Sequence, residues 1–222
     1  MTIDSIGQIK RLGERLRESH PITNDDLALL DEFRQTFSDI DKKAYTIIQQ
    51  ALAGADGWTC TKRKRKTQQS IVAKLSRLPK LRLPRMQDIA GCRIVLESGI
   101  EQANKLNNLL LNAFKQQEWQ VEDKERHQYG YRAIHVIVKL DKKYYEIQLR
   151  TYAQDIWANL VEKMSDDKNT LKYGGNEQEQ VVADKLRQLS ESFISIDENA
   201  HNVSLEKYQQ QIEEAIRHVL SD

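Results

Sequence analysis

The sequence predicts an α+β fold, a mostly antiparallel mixed sheet flanked by N- and C-terminal helices, and three observations carry that expectation. Apolar residues recur at helical spacing over both ends of the chain. The middle switches to strand-like alternation, most clearly in 131–140 and 143–150, which flank a tight turn at Asp141-Lys142. Gly and Pro, at 9 and 3 in 222 residues, are too few to break the terminal stretches into loops.

Taken in order, Ile3, Ile6, Ile9, Leu12 and Leu16 predict a helix over 3–18. SHPITNDD interrupts it, with Thr23 or Asn24 in position to cap the next helix. Leu30, Phe33, Phe37, Ile40 and Ile48 then form one long apolar stripe ending near Gly54. Ser70 to Arg77 is a short basic helix, 92–97 a strand, 100–116 a helix, and WQVED a second strand. After Thr151 the chain returns to helix. Trp157, Leu160, Val161 and Met164 share one helix; Val182, Leu186, Leu189, Phe193 and Ile196 share another. Tyr208, Ile212, Ile216 and Val219 mark a last one. The expected organisation is N-terminal helices over 1–56, a core over 57–168 and C-terminal helices over 169–222.

Composition narrows the function classes. Hydrophobic residues make up 39% and charged residues 30%, and no apolar run approaches the roughly 20 residues of a membrane helix. The N-terminus lacks the apolar stretch of a secretory signal. Cys60 and Cys92 have no metal-ligand spacing and fit a reduced, cytoplasmic protein. Net charge is +1, yet Gly57 to Gln87 holds ten basic residues and no acidic one. Such a block calls for an anionic partner.

The hairpin sorts its residues by parity. A two-residue turn at 141–142 sets His135 opposite Gln148 and Ile137 opposite Glu146. Ile134, Val136 and Val138 then share a dry face with Tyr145, Ile147 and Leu149. The other face collects Tyr131, His135, Glu146, Gln148 and Arg150. It is either a solvated face or a patch able to bind a nucleotide.

Four blocks now stand in order: the basic run into KRKTQQSIVAKLSR, MQDIAGCRIV at 86–95, GYRAIH at 130–135 and YEIQLRT at 145–151. Together, over about 62–168, they resemble the synthetase domain of the RelA/SpoT family, a nucleotidyltransferase-like fold, in its small single-domain form. The resemblance implies an ATP-dependent nucleotide pyrophosphokinase. It would carry pyrophosphate from ATP to the ribose 3′-hydroxyl of GDP or GTP, making (p)ppGpp and AMP with Mg²⁺ as cofactor. It implies roles residue by residue. Lys64, Lys66, Ser70, Lys74 and Arg77 correspond to the ATP-binding positions. Lys64 stands where the family has the arginine that stacks on adenine, with Arg63 and Arg65 as neighbouring guanidiniums. Asp88 and Glu146 correspond to the catalytic and metal-binding carboxylates, and Tyr131, His135, Gln148 and Arg150 to the acceptor side.

Two carboxylates suit Mg²⁺, which takes its remaining ligands from phosphate and water. Cationic side chains suit the charge that spreads over phosphate oxygens in such a transfer. The chain departs from the family where a Pro-Lys precedes the Gly-Tyr motif. Here the stretch is DKERHQYGYR, with Lys124, Arg126 and His127 as its cations, which leaves the acceptor open. A toxin-type member acting on the tRNA 3′ end or on adenine nucleotides, with an antitoxin partner, is the alternative, and a non-catalytic RNA- or nucleotide-binding module the third reading. Self-association through the terminal helical stripes is compatible with each.

Overall fold

The computed structural model describes residues 5–18, 21–165 and 170–220. Ile3 of the first predicted helix and the 168/169 core boundary therefore lie outside the described residues. Chain order is α1 (Ile6–Arg17), α2 (Asn24–Gln35), α3 (Ser38–Ala51), β1 (Trp58–Lys62), α4 (Gln68–Arg77), β2 (Gly91–Leu96) and α5 (Ile100–Gln116). It continues with β3 (Gln120–Gln128), β4 (Tyr131–Leu140), β5 (Lys143–Thr151), α6 (Tyr152–Met164), α7 (Gln180–Asn199) and α8 (Leu205–Leu220).

Local chemistry sets the helix starts. Ser5 and Gln8 form a capping box on α1, Thr23 accepts from the Asp26 amide at the head of α2, and Thr67 caps α4 through the Ser70 amide. Thr151 and Gln154 form a second capping box on α6, so the helix begins at the residue after β5 ends. The single stripe expected over 24–54 is two helices. The chain breaks at Thr36, whose hydroxyl donates to the Phe33 carbonyl at 2.7 Å, while Phe33 and Phe37 stack edge to face across the break.

The sheet runs β1-β2-β5-β4-β3. β2 and β5 are parallel, and the other three pairings are antiparallel. The hairpin register is the expected one, with His135 opposite Gln148 and Ile137 opposite Glu146. Its turn residues Asp141 and Lys142 both have positive φ, 47° and 68°, the geometry that matches the twist of the flanking strands. Tyr129 and Gly130 turn β3 into β4 in the same way. β1 was not expected, and β3 extends five residues beyond WQVED, through the charged KERHQ, to Gln128.

The core is two apolar clusters. One joins α1–α5 to the dry sheet face around Ile94, Val136, Tyr145 and Ile147. The other joins α6, α7 and α8 around Trp157, Leu189, Phe193 and Ile212, with Tyr131 packed against it. Among the described residues no helix is long and apolar enough to cross a membrane.

Candidate active site

The second hairpin face is covered, not solvated. His135, Glu146, Gln148 and Arg150 retain 5%, 4%, 8% and 4% of their exposure, which decides against a solvent-facing sheet. Buried polar groups require partners, and these four provide them for one another. His135 Nδ1 meets Glu146 Oε1 at 2.9 Å, and because a carboxylate only accepts, Nδ1 carries a proton. His135 Nε2 lies 2.8 Å from the Tyr131 hydroxyl. Gln148 Nε2 donates to Glu146 Oε2 at 3.0 Å. Arg150 donates to both Tyr131 and Gln148 at 3.3 Å, and its guanidinium lies 5.3 Å from the centre of the Tyr131 ring.

Neighbouring elements complete the patch. The backbone beyond β1 stays bound to the Asp88 loop and the start of β2, with the Arg63 amide donating to Gly91 and the Lys66 amide to Ile89. That path delivers Arg63 Nη1 to Glu146 Oε2 at 2.9 Å. It also delivers Lys66 Nζ to Asp88 Oδ2 at 3.1 Å, and α4 adds Lys74 Nζ at 2.7 Å from Oδ1. Gly91 is the point of closest backbone approach. A Cβ there would lie 2.2 Å from the Glu146 carbonyl oxygen, so no larger residue fits the β2–β5 contact.

Both carboxylates are held ionised. Burial pushes Glu146 up, but the hydrogen bond and charge of His135, then Arg63, outweigh it and hold the carboxyl far below the usual range. Burial likewise pushes Asp88 up, and Lys74 and Lys66 outweigh it. The Glu146 charge works against Asp88, so the two anions feel each other. A third anion, Asp155 on α6, accepts from Arg150 at 2.9 Å and faces Arg93 Nη1 of β2 at 3.4 Å.

Of the residues singled out by sequence, Asp88, Lys66 and Lys74 form one cluster, and Tyr131, His135, Glu146, Gln148 and Arg150 another. Ser70 accompanies Thr67 at the head of α4, with Oγ to Oγ1 at 2.8 Å. Arg77 is exposed at the far end of α4. Lys64 is exposed and pairs with no carboxylate among the described residues. Of its neighbours, Arg65 donates to the Arg34 carbonyl and Arg63 to Glu146. Arg93 and Asp155 escaped sequence reading. Arg93 shares the parity of Gly91 within CRIVLE, but its place beside Gln148 comes from a parallel pairing that no turn announces.

Among the described residues no group of three or more acidic, His or Cys side chains could hold a metal ion alone. Asp88 and Glu146 nevertheless suit Mg²⁺. They are two mutually repelling oxygen anions, and a hard cation that draws its other ligands from phosphate and water needs no more.

Comparison with known proteins points the same way. Residues 63–170 match the model of the region found in RelA / SpoT proteins. Uncharacterised proteins of Mycobacterium bovis and Mycobacterium tuberculosis are 37% identical over 102 residues, 46% of this chain and 37% of theirs. The chain therefore spans little more than a third of those relatives. The structure of small alarmone synthetase 1 from Bacillus subtilis bound to its product pppGpp is similar at 25% identity. Its TM-score is 0.56, with 77% of this chain and 91% of that one covered. A second structure of that synthetase, at 23% identity and TM-score 0.58, covers 86% of this chain and all of the other and shares the fold.

Proposed function

Since residues 63–170 match the model of the region found in RelA / SpoT proteins, we propose that the chain transfers pyrophosphate from ATP to the ribose 3′-hydroxyl of GDP or GTP. The observation that carries this reading is the buried Glu146 carboxylate held by Arg63, His135 and Gln148 beside the Asp88–Lys66–Lys74 cluster. Each anion is neutralised by side chains that a polyphosphate would compete for. The product-bound Bacillus relative supports a guanine acceptor.

In this mechanism Lys66 and Lys74, with Arg77, Ser70 and Lys64, bind the ATP side. With Lys66 and Lys74 turned from Asp88 to phosphate oxygens, Asp88 and Glu146 would be the oxygen ligands that hold Mg²⁺. When bound, Mg²⁺ would neutralise charge on the phosphate oxygens. Tyr131 stacks on the acceptor base, and Gln148 and Arg150 hold the acceptor. The ribose oxygen attacks the β-phosphorus in line, the bond from that phosphorus to the α-phosphate oxygen breaks, and AMP leaves. The hydroxyl proton goes to Glu146.

Lys124 and Arg126 lie opposite His135 and Ala133 and share the patch's face, whereas His127 has the opposite parity and sits with Glu125. The two former cations are thus the replacements for the missing Pro-Lys. The test is purified protein with labelled ATP, Mg²⁺ and, separately, GDP, GTP, ATP, ADP and tRNA. Label on GDP or GTP with AMP released is expected. Label confined to tRNA or adenine nucleotides would replace the guanine reading with the toxin-type one, and no transfer to any acceptor would leave a binding module.

A further inference from the structure

Cys60 and Cys92, unremarkable in sequence, are brought together by the fold. In the β1–β2 pairing Cys60 stands opposite Ile94 and Lys62 opposite Cys92, so the cysteines are diagonal neighbours on one face of the sheet. That face is the dry one, away from Glu146. Cys92 is fully buried and Cys60 half-buried on the edge strand. The two are unequal. The neighbouring Cys92 thiol holds Cys60 below its ordinary value against burial, with the Lys62 charge assisting. The same contact and burial push Cys92 up. Lys62 is kept nearby by the Tyr45 ring of α3, 4.3 Å from its ammonium.

A half-buried thiol on an edge strand beside a fully buried thiol on the same face is the arrangement of an attacking and a resolving cysteine. We propose that Cys60 is a modification site for small disulfides and that Cys92 resolves the adduct into a Cys60–Cys92 disulfide. The Cys60 thiolate attacks one sulfur of RS–SR. A bond forms between Sγ and that sulfur, the RS–SR bond breaks, and RS⁻ leaves and is protonated. Cys92 then attacks Cys60 Sγ, and its proton passes to the second RS⁻ as that group leaves. Two protein thiols are oxidised and one small disulfide is reduced to two thiols.

Geometry ties this chemistry to the site. Diagonal partners in an antiparallel pair have Cα atoms about 7–8 Å apart, beyond the roughly 4.4–6.8 Å usual for a disulfide. Closing the bond therefore draws β1 toward β2. β1 yields because it is paired on one side only. The backbone it moves continues into Arg63 and Lys66, which hold Glu146 and Asp88. This consequence, unlike the thiol chemistry, rests on the proposed ATP-binding reading.

The test treats the full chain with glutathione disulfide and follows intact mass and peptide maps. Wild type is expected to lose two hydrogens and link Cys60 to Cys92. Cys92→Ser should accumulate one glutathione on Cys60, and Cys60→Ser should resist modification. Unreactive wild type, glutathione retained on Cys92, or two adducts without the link would overturn the proposal. The wild-type map decides alone if the serine variants fail to fold. ATP affinity of the oxidised chain should fall at least tenfold and return with dithiothreitol. Unchanged affinity with the disulfide formed would overturn the coupling to residues 62–66. A reduced chain that binds no ATP would count against the proposed activity, while the mass result still decides the thiol chemistry.

Discussion

Lowering the pH from 7 to 5 is expected to stabilise this protein through Asp197. Its side chain, 3% exposed on α7, accepts from the Tyr208 hydroxyl at 2.7 Å and the Thr151 hydroxyl at 2.9 Å. Burial outweighs these bonds and pushes the carboxyl from 3.8 up to about 6. With the folded value raised, folding favours the protonated form. That stabilisation is complete below the unfolded value near 4 and is lost as pH rises through about 6. A shift of about two units is worth about 3 kcal/mol between those limits, and about 1 kcal/mol of it lies between pH 7 and pH 5. Asp88 and Glu146 are shifted down instead. Their stabilisation is present above the ordinary carboxylate range and declines only below it, outside this window. Urea unfolding of wild type and Asp197→Asn at pH 7, 6 and 5 measures the effect, and the difference between the two proteins cancels other titrations. Wild type should gain about 1 kcal/mol relative to the Asn variant on going to pH 5. A flat or falling difference would refute the reasoning.

Glu146→Gln keeps the side-chain volume and removes the charge that Arg63 and His135 hold. Transfer should fall at least about 100-fold, with the fold retained by circular dichroism. Gly91→Ala forces a Cβ onto the Glu146 backbone and should cost about 1–3 kcal/mol in a urea melt, whereas Gly54→Ala, with nothing within 4 Å, should cost almost nothing. Arg126→Ala should raise the acceptor KM roughly tenfold while leaving the ATP KM unchanged, on the scale of one hydrogen bond to a charged group. His127→Ala, on the opposite face, should change neither.

The parts of this fold that could be read in advance are those governed by neighbours in sequence. Parity and a two-residue turn were enough to put His135 opposite Gln148 and to separate the dry face from the wet one. The 100–116 helix was read to its ends. WTCTK was missed as a strand because an edge strand shows little burial and precedes a run of cations. KERHQ was missed because every residue of it is exposed, so no alternation marks it. The break at Thr36 is hidden under an apolar stripe that continues across it. Arg63 on Glu146 spans 83 positions, and the Arg93–Asp155 contact crosses from β2 to α6. Such pairings are set by sheet order, which local patterns do not encode.

The Asp141-Lys142 turn also limits how this chain can change length. Its two residues can vary among those that tolerate left-handed backbone, but their number has a parity. If one residue were inserted and pairing resumed along the same strands, Tyr145, Ile147 and Leu149 would rotate onto the face now lined by Glu146, Gln148 and Arg150. Three charged or amide side chains would then enter the core. A length change that slips the register by one therefore disrupts fold and site together, while one taken up within a longer turn or a bulge preserves both faces.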